Sequence, residues 1–387
     1  MPIFNLSSNS KQGIGLSDDE TIISFLNPDS GEYVSASEAL KNSDIFSLIA
    51  QLSGDLALVS YKASRSRLQS LIDDPSVTSN GFSFWQAMFA QLLLDGNAYA
   101  YRWRNINGVD LRWEYLRPSQ VEVQLLNDGS GLIYNLNFDE PDIPYKQGVS
   151  QTDMIHLRLM SKNGGMTGIS PLKALASELN IKQSSNKLTL NALNKSVEAP
   201  GILSIQGGGL LDWKKKSTRS RRFMKQVNSS NGGPVVLDDL ETYQPLEVKG
   251  DVAKLLSQAD WTGKQIAKVY GIPDSYLNGQ GDQQSNVTQI SGQYAKALHR
   301  YVKPIVSELN SKLNCSVAYD MRPVIDAMGD EYATAVNNLT SSGILAKNQA
   351  RYVLQQMDFL PDDLPDAETS SPIISTEGGE EDGNNSN

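Results

Sequence analysis

One cysteine and two histidines in 387 residues exclude more chemistry than any motif present supplies. With Cys315 alone, no disulfide can form within the chain, which fits assembly in a reducing compartment. His156 and His299 stand far apart, and neither has a second His or Cys at ligand spacing, so no metal site is expected. His156 alternates with Ile155 and Leu157, the pattern of a structural strand residue. Long apolar runs are missing as well. Leu56-Ala57-Leu58-Val59 and Leu92-Leu93-Leu94 fall far short of the roughly 20 residues of a membrane span. Met1-Pro2-Ile3-Phe4-Asn5 lacks the charged-then-apolar pattern of a secretory leader. The chain is expected to be soluble, with no membrane partner.

Catalytic signatures are absent too. No Gly-x-x-x-x-Gly-Lys-Ser/Thr phosphate loop occurs, which excludes a P-loop motor ATPase. Gly207-Gly208-Gly209 has the wrong spacing for a dinucleotide site. Ser170 lies in Gly-Ile-Ser-Pro rather than Gly-x-Ser-x-Gly and reads as a helix cap. The carboxylate pairs Asp18-Asp19 and Asp362-Asp363 sit in loops, where solvation explains them. Catalytic residues, metal ligands and cofactors are all expected to be none, so the chain is not expected to be an enzyme.

Charge of one sign is missing locally in two places. From Asp362 onward there are eight acids and no base; setting them aside leaves 36 acids against 34 bases, so the net charge of −10 belongs mainly to the end of the chain. The tail 369–387 is rich in Ser, Gly, Asn and Glu and is expected to be disordered. Conversely, Lys214, Lys215, Lys216, Arg219, Arg221, Arg222 and Lys225 crowd into twelve residues without an acid. On a helix from about Asp212 to Val227 these seven would surround the axis.

What the chain does contain is ordered periodicity. Residues 44–57 carry Ile45, Leu48, Ile49, Leu52 and Leu56 at helical spacing. A second helix is expected to open at Ser83, with Gln86 in capping-box position, and to stop at Gly96. The period then drops to two: Tyr99, Tyr101 and Trp103 lead to an Asn107-Gly108 turn, and Val109, Leu111, Trp113 and Tyr115 return. These aromatics are expected to pack across the hairpin. Strands follow at 121–125, 132–136 and 154–159, making residues 1–165 an α+β domain. Ser170-Pro171 starts a helix running to about Val197. Its apolar marks are interrupted by Lys182, Gln183, Ser184, Ser185 and Asn186, so it should pack against other copies of itself. A strand at 201–205, the basic helix and a strand at 235–237 come next. Helix 251–270 then leads to Asn278-Gly279-Gln280-Gly281-Asp282-Gln283-Gln284-Ser285-Asn286, nine residues with no apolar side chain. So polar a stretch cannot bury a core and must face water or a ligand. A long helix from Val287 to Leu313 follows, with Pro304 inside it as an expected kink. Two helices near 332–339 and 348–357 close the pattern.

Several segments in this order resemble the portal proteins of tailed bacteriophages, in the family typified by phage HK97. They are Asn42-Ser43-Asp44-Ile45-Phe46-Ser47-Leu48-Ile49; Phe84-Trp85 followed by Leu93-Leu94-Asp95-Gly96-Asn97-Ala98-Tyr99; Arg117-Pro118 leading into a strand; Asp153-Met154-Ile155-His156-Leu157-Arg158; Gly168-Ile169-Ser170-Pro171-Leu172; and Gln265-Ile266-Ala267-Lys268-Val269-Tyr270-Gly271-Ile272-Pro273. The similarity spans about residues 40–360, and Gly343 to Arg351 follows the family pattern only loosely. The resemblance implies an α+β portal fold of wing, stem, clip and crown, assembling into a ring with a central channel, twelvefold in virions.

The implied boundaries are wing 1–170, stem helix 171–198, clip 199–245, second stem helix 246–270, tunnel loop 271–285, kinked wing helix 286–314, crown 315–368 and acidic tail 369–387. The implied partners are the major capsid protein, the large terminase as packaging motor, a head–tail connector, and double-stranded DNA passing without sequence specificity. The implied location is the portal vertex of the virion, after assembly in the host cytoplasm. Asn278 to Asn286 would then face DNA, and the basic helix would dock the motor and connector. A loop without Lys or Arg suits a sliding duplex, since phosphate contacts by cations bind tightly. The alternatives are a DNA-binding protein using the basic helix 212–227, without any recognised DNA-binding motif, and an enzyme with a diffuse active site.

Overall fold

Burial follows the helical period in the first long helix, where Ile45, Leu48, Ile49, Leu52 and Leu56 all point inward. The computed structural model describes residues 13–16, 35–197, 201–206, 212–229, 236–245, 252–275, 287–326, 328–356, 359–361 and 363–365. The elements are β1 (Gly13–Gly15), α1 (Ala36–Ala39), α2 (Ser43–Leu58), β2 (Ser60–Ala63), α3 (Ser66–Asp73) and α4 (Gly81–Asp95). Next come β3 (Asn97–Arg104), β4 (Asp110–Leu116), β5 (Val121–Leu126), β6 (Leu132–Leu136), β7 (Lys146–Ser150) and β8 (Met154–Arg158). The long helix α5 (Pro171–Val197) precedes β9 (Gly201–Ile205), α6 (Trp213–Ser229), β10 (Glu241–Pro245) and α7 (Val252–Tyr270). Then follow α8 (Val287–Leu313), β11 (Val317–Asp320), α9 (Arg322–Ile325), α10 (Asp330–Ser341) and α11 (Lys347–Gln355).

The central sheet has the order β4-β3-β8, all antiparallel. Alternation along its strands feeds two cores. Ala98, Ala100, Trp113, Ile155 and Leu157 face the first, with α2, α4, the start of α5, the end of α7 and α8. Tyr99, Leu116 and Met154 face the second, against β5 and β6. This corrects the expected aromatic pairing: Trp113 lies opposite Arg102 rather than an aromatic, and Tyr101 opposite Glu114. Tyr99, Tyr101 and Trp103 serve one core, while Trp113 stacks edge-on to Trp85 at 5.9 Å in the other. A one-residue offset in register separates the two sets.

Other corrections concern ends and boundaries. Helix α4 is capped by Asn80, whose Oδ1 accepts from Ser83 N at 2.8 Å, so it starts before Ser83. The strand expected at 235–237 lies instead at Glu241–Pro245, paired with β9, while Val236 and Leu237 are irregular. Strand β11 pairs with β2 from near the other end of the chain. The chain divides at 325/326 into two compact units, so β11 and α9 belong with the first. Helix α8 continues through Pro304 as one element. Among the described residues, no helix is long and apolar enough to cross a membrane.

Candidate functional site

Three of the motif segments meet at one point. Gly96 ends α4 at φ +79°, the left-handed conformation that a glycine accepts without strain. A Cβ there would lie 2.3 Å from the Ile169 carbonyl oxygen, and one on Gly168 would lie 2.0 Å from the Gly96 oxygen. The two backbones touch because both lack side chains. Beside them, buried Asn97 receives the Gly168 N–H on Oδ1 at 2.6 Å and donates from Nδ2 to the Gly168 carbonyl at 3.0 Å. Ser170 Oγ donates to the Leu94 carbonyl at 2.6 Å and accepts from Leu172 N at 3.2 Å, so it is the cap of α5 and no nucleophile.

His156 completes this junction and is fully buried. Arg158 Nε can only donate, and it reaches Nδ1 at 3.1 Å, so Nδ1 carries the lone pair. The Nε2 proton then goes to Asn97 Oδ1 at 3.1 Å. Burial, with the nearby Arg158 and Lys312 cations, holds the imidazole well below its usual pKa, and it stays neutral. A neutral, fully bonded imidazole is a structural group, in line with the strand pattern around it.

The basic helix α6, which lies between β9 and β10 in sequence, is set on their two-stranded antiparallel sheet. Phe223 is buried and lies 4.9 Å from the Tyr243 ring. Arg219 on the same side grips Glu241 through two hydrogen bonds of 2.5 Å, and Asp238 lies 3.6 Å away. That pairing lowers the Glu241 pKa and raises that of Arg219. At about 100° per residue, Lys214, Lys215, Arg221, Arg222 and Lys225 share an outward arc of about 120°, and all five are exposed. The cations therefore do not surround the axis evenly: Lys216 and Arg219 lie toward the side of the β9–β10 sheet. Among the described residues, none of the five outward cations makes an ion pair.

The polar stretch Asn278 to Asn286 lies outside the described residues, as do Gly207 to Gly209, Asp18-Asp19 and the tail 369–387. Among the described residues, no three His, Cys, Asp or Glu side chains come together as metal ligands. The Asn97–His156–Gly168 junction was not singled out from sequence as a unit. Its one local sign is a polar Asn directly after Gly96 inside an apolar stretch.

Comparison with known proteins gives this arrangement its family. The phage portal protein model matches residues 44–354. Among solved structures, the chain is similar to one from the neck of a native gene transfer agent particle computed with C12 symmetry, at 16% identity and TM-score 0.65, covering 89% of this chain and 96% of that one. It is also similar to a chain of the native gene transfer agent virion, at 16% identity and TM-score 0.63, covering 86% and 97%. A third likeness is to an HK97 family phage portal protein from Corynebacterium diphtheriae, at 12% identity and TM-score 0.57, covering 75% and 96%. These likenesses establish the fold. No curated protein gives a significant match. The chain belongs to the phage portal protein family. Its function is that of a portal, a structural component of the head–tail connection in a phage particle.

Proposed function

We propose that twelve copies of this chain form the ring at one capsid vertex, through which double-stranded DNA is packaged and later ejected. The observation that carries this reading is apolar surface left open on the two long helices. Ile181, Leu188 and Leu190 on α5 are 41%, 58% and 59% exposed, and Trp261 and Val269 on α7 are 42% and 37% exposed. Such a surface on one chain calls for cover by another. A neck structure of similar fold computed with C12 symmetry supports the number twelve. In this reading residues 1–170 with α8 form the wing, α5 and α7 the stem, β9–α6–β10 the clip, and residues from 326 the crown. The ring assembles in the host cytoplasm, sits among major capsid subunits, and receives first the large terminase and then a connector on the clip. No residue is assigned a catalytic step. Negative-stain electron microscopy of the purified protein should show rings with a central channel; a compact monomer or dimer at all concentrations overturns the reading.

The stretch 278–286 is assigned to the narrowest part of the channel because it can touch a moving duplex without cationic phosphate contacts. Deleting residues 279–285 in a phage should leave ring assembly intact and reduce packaged or retained DNA. Normal numbers of full, stable heads would remove the assignment.

A further inference from the structure

Strand β8 is the outer strand of its sheet, so alternate N–H groups along it have no neighbouring strand to bond. His156 is at such a position, and its N–H donates instead to Glu308 Oε1 on α8 at 3.1 Å. One turn further along α8, Lys312 Nζ donates to the Gln151 carbonyl, just before β8, at 2.6 Å. The two side chains stand four residues apart, on one helix face, and lie 3.5 Å from each other. The second Glu308 oxygen is 3.6 Å from Arg158 Nη1. Side-chain exposure is 14% for Glu308, 11% for Lys312 and 20% for Arg158, so solvent screens the group weakly.

We infer that Glu308 and Lys312 form a clasp that stands in for a missing strand and fixes the axial register of α8 on the wing sheet. Apolar packing alone cannot do this. The stripe Leu298, Val302, Ile305 and Leu309 repeats with the helical turn, so a shift by one turn would still bury apolar side chains. One particular N–H and one particular carbonyl permit a single register. Because α8 begins at Val287, the residue that follows the stretch 278–286 in sequence, the clasp fixes the helix to which that stretch is joined. This last step rests on the portal reading of that stretch. Glu308 is thus a positioning residue, acting through the helix.

The test compares Glu308→Ala, Glu308→Gln and Lys312→Met in assembled rings, by hydrogen exchange and by DNA-filled heads in phage. Glu308→Ala should speed exchange across residues 154–158 by roughly tenfold or more and lower the number of filled heads. Glu308→Gln keeps an acceptor for the His156 N–H, so it should restore most of the protection and most of the filling. Lys312→Met should give a smaller effect of the same kind, and it serves as the decisive variant if Glu308→Ala does not assemble. Unchanged exchange in the Ala and Met variants overturns the clasp. Faster exchange with full heads overturns the positioning role. If deletion of 279–285 also leaves heads full, the reading of the stretch is what fails, and the exchange result still decides the clasp.

Discussion

Around His156, the polar groups of the junction close on other groups of the same chain, whereas on α6 five cations are exposed without a carboxylate partner among the described residues. Among the described residues, no buried side-chain nitrogen or oxygen lacks a hydrogen-bond partner. The first region is finished within one chain. The outward face of α6 and the open apolar side of α5 and α7 are not, and in the ring proposed above those are the surfaces that other molecules would meet. Substitutions in the finished region should therefore change stability, and those on the open surfaces should change assembly or docking.

The largest expected effect breaks the finished region at its tightest point. Gly168→Ala places a methyl 2.0 Å from the Gly96 oxygen, a backbone atom that cannot swing aside. A loss of about 4 kcal/mol or more is expected, and the protein should fail to accumulate as soluble rings. Gly108→Ala sharpens the contrast: φ is +74° there, a left-handed conformation that Gly168 does not adopt, but nothing lies within 4 Å of the new methyl. That variant should lose only about 1–2 kcal/mol, the cost of a left-handed alanine. Denaturant unfolding measures both, and a loss at Gly168 no larger than at Gly108 would show that the close contact with the Gly96 oxygen does not govern Gly168.

A smaller effect should come from His156 with pH. Its pKa is lowered in the folded state, so the unfolded chain binds the proton more readily. Stability is then fully present above the unfolded value of about 6.5 and falls as pH drops below it. The slope from this one group approaches about 1.4 kcal/mol per pH unit, until the lowered folded pKa is reached. The stability difference between wild type and His156→Gln, measured from pH 7 to 5, should shrink as pH falls. A difference independent of pH would mean that the imidazole titrates in the fold as it does in the unfolded chain, and a difference that grows as pH falls would mean that the fold favours the imidazolium.

Smaller still for stability, but large for the docking proposed above, are changes on α6. Lys215→Glu with Arg222→Glu changes two outward cations and should weaken large-terminase binding by roughly tenfold while leaving the ring intact. Arg219→Glu should instead loosen the clip, because Arg219 already pairs with Glu241. Limited proteolysis of 199–245 separates the two outcomes. Unchanged terminase binding by the double variant would make the outward arc a solvated face and nothing more.

Much of this contrast was legible in sequence where the signal is local. The periods of α2 and α4, the Asn107-Gly108 hairpin, and Ser170-Pro171 before α5 each depend on near neighbours. The phage-portal family itself was legible from motif order. Pairings between distant segments left no local mark: nothing near Ser60–Ala63 announces its partner Val317–Asp320. The same cause misplaced the strand that pairs with β9. Val235-Val236-Leu237 looks more strand-like than Glu241–Pro245, but α6 supplies Arg219 for Glu241 and Phe223 for Tyr243. The seven cations of α6 could be counted from sequence, but not which one was engaged. That depended on a carboxylate twenty-two residues further on.

The smallest expected effect is removal of the acidic tail after Glu368. Residues 369–387 contain Ile373 and Ile374 as their only large apolar side chains. Two such groups cannot offset the entropy of ordering nineteen residues, at about 1–2 kcal/mol each. The truncated chain should therefore form rings and unfold within about 0.5 kcal/mol of the full one, the range of an ordinary surface change. In the portal reading the tail follows the crown, and twelve copies would add negative potential that repels DNA. A difference is thus expected in DNA handling before any difference in folding. Electron microscopy and thermal unfolding of the truncated protein check the prediction. If it fails to form rings, the tail belongs with the structural regions, and the division between finished and open surfaces must be redrawn to include it.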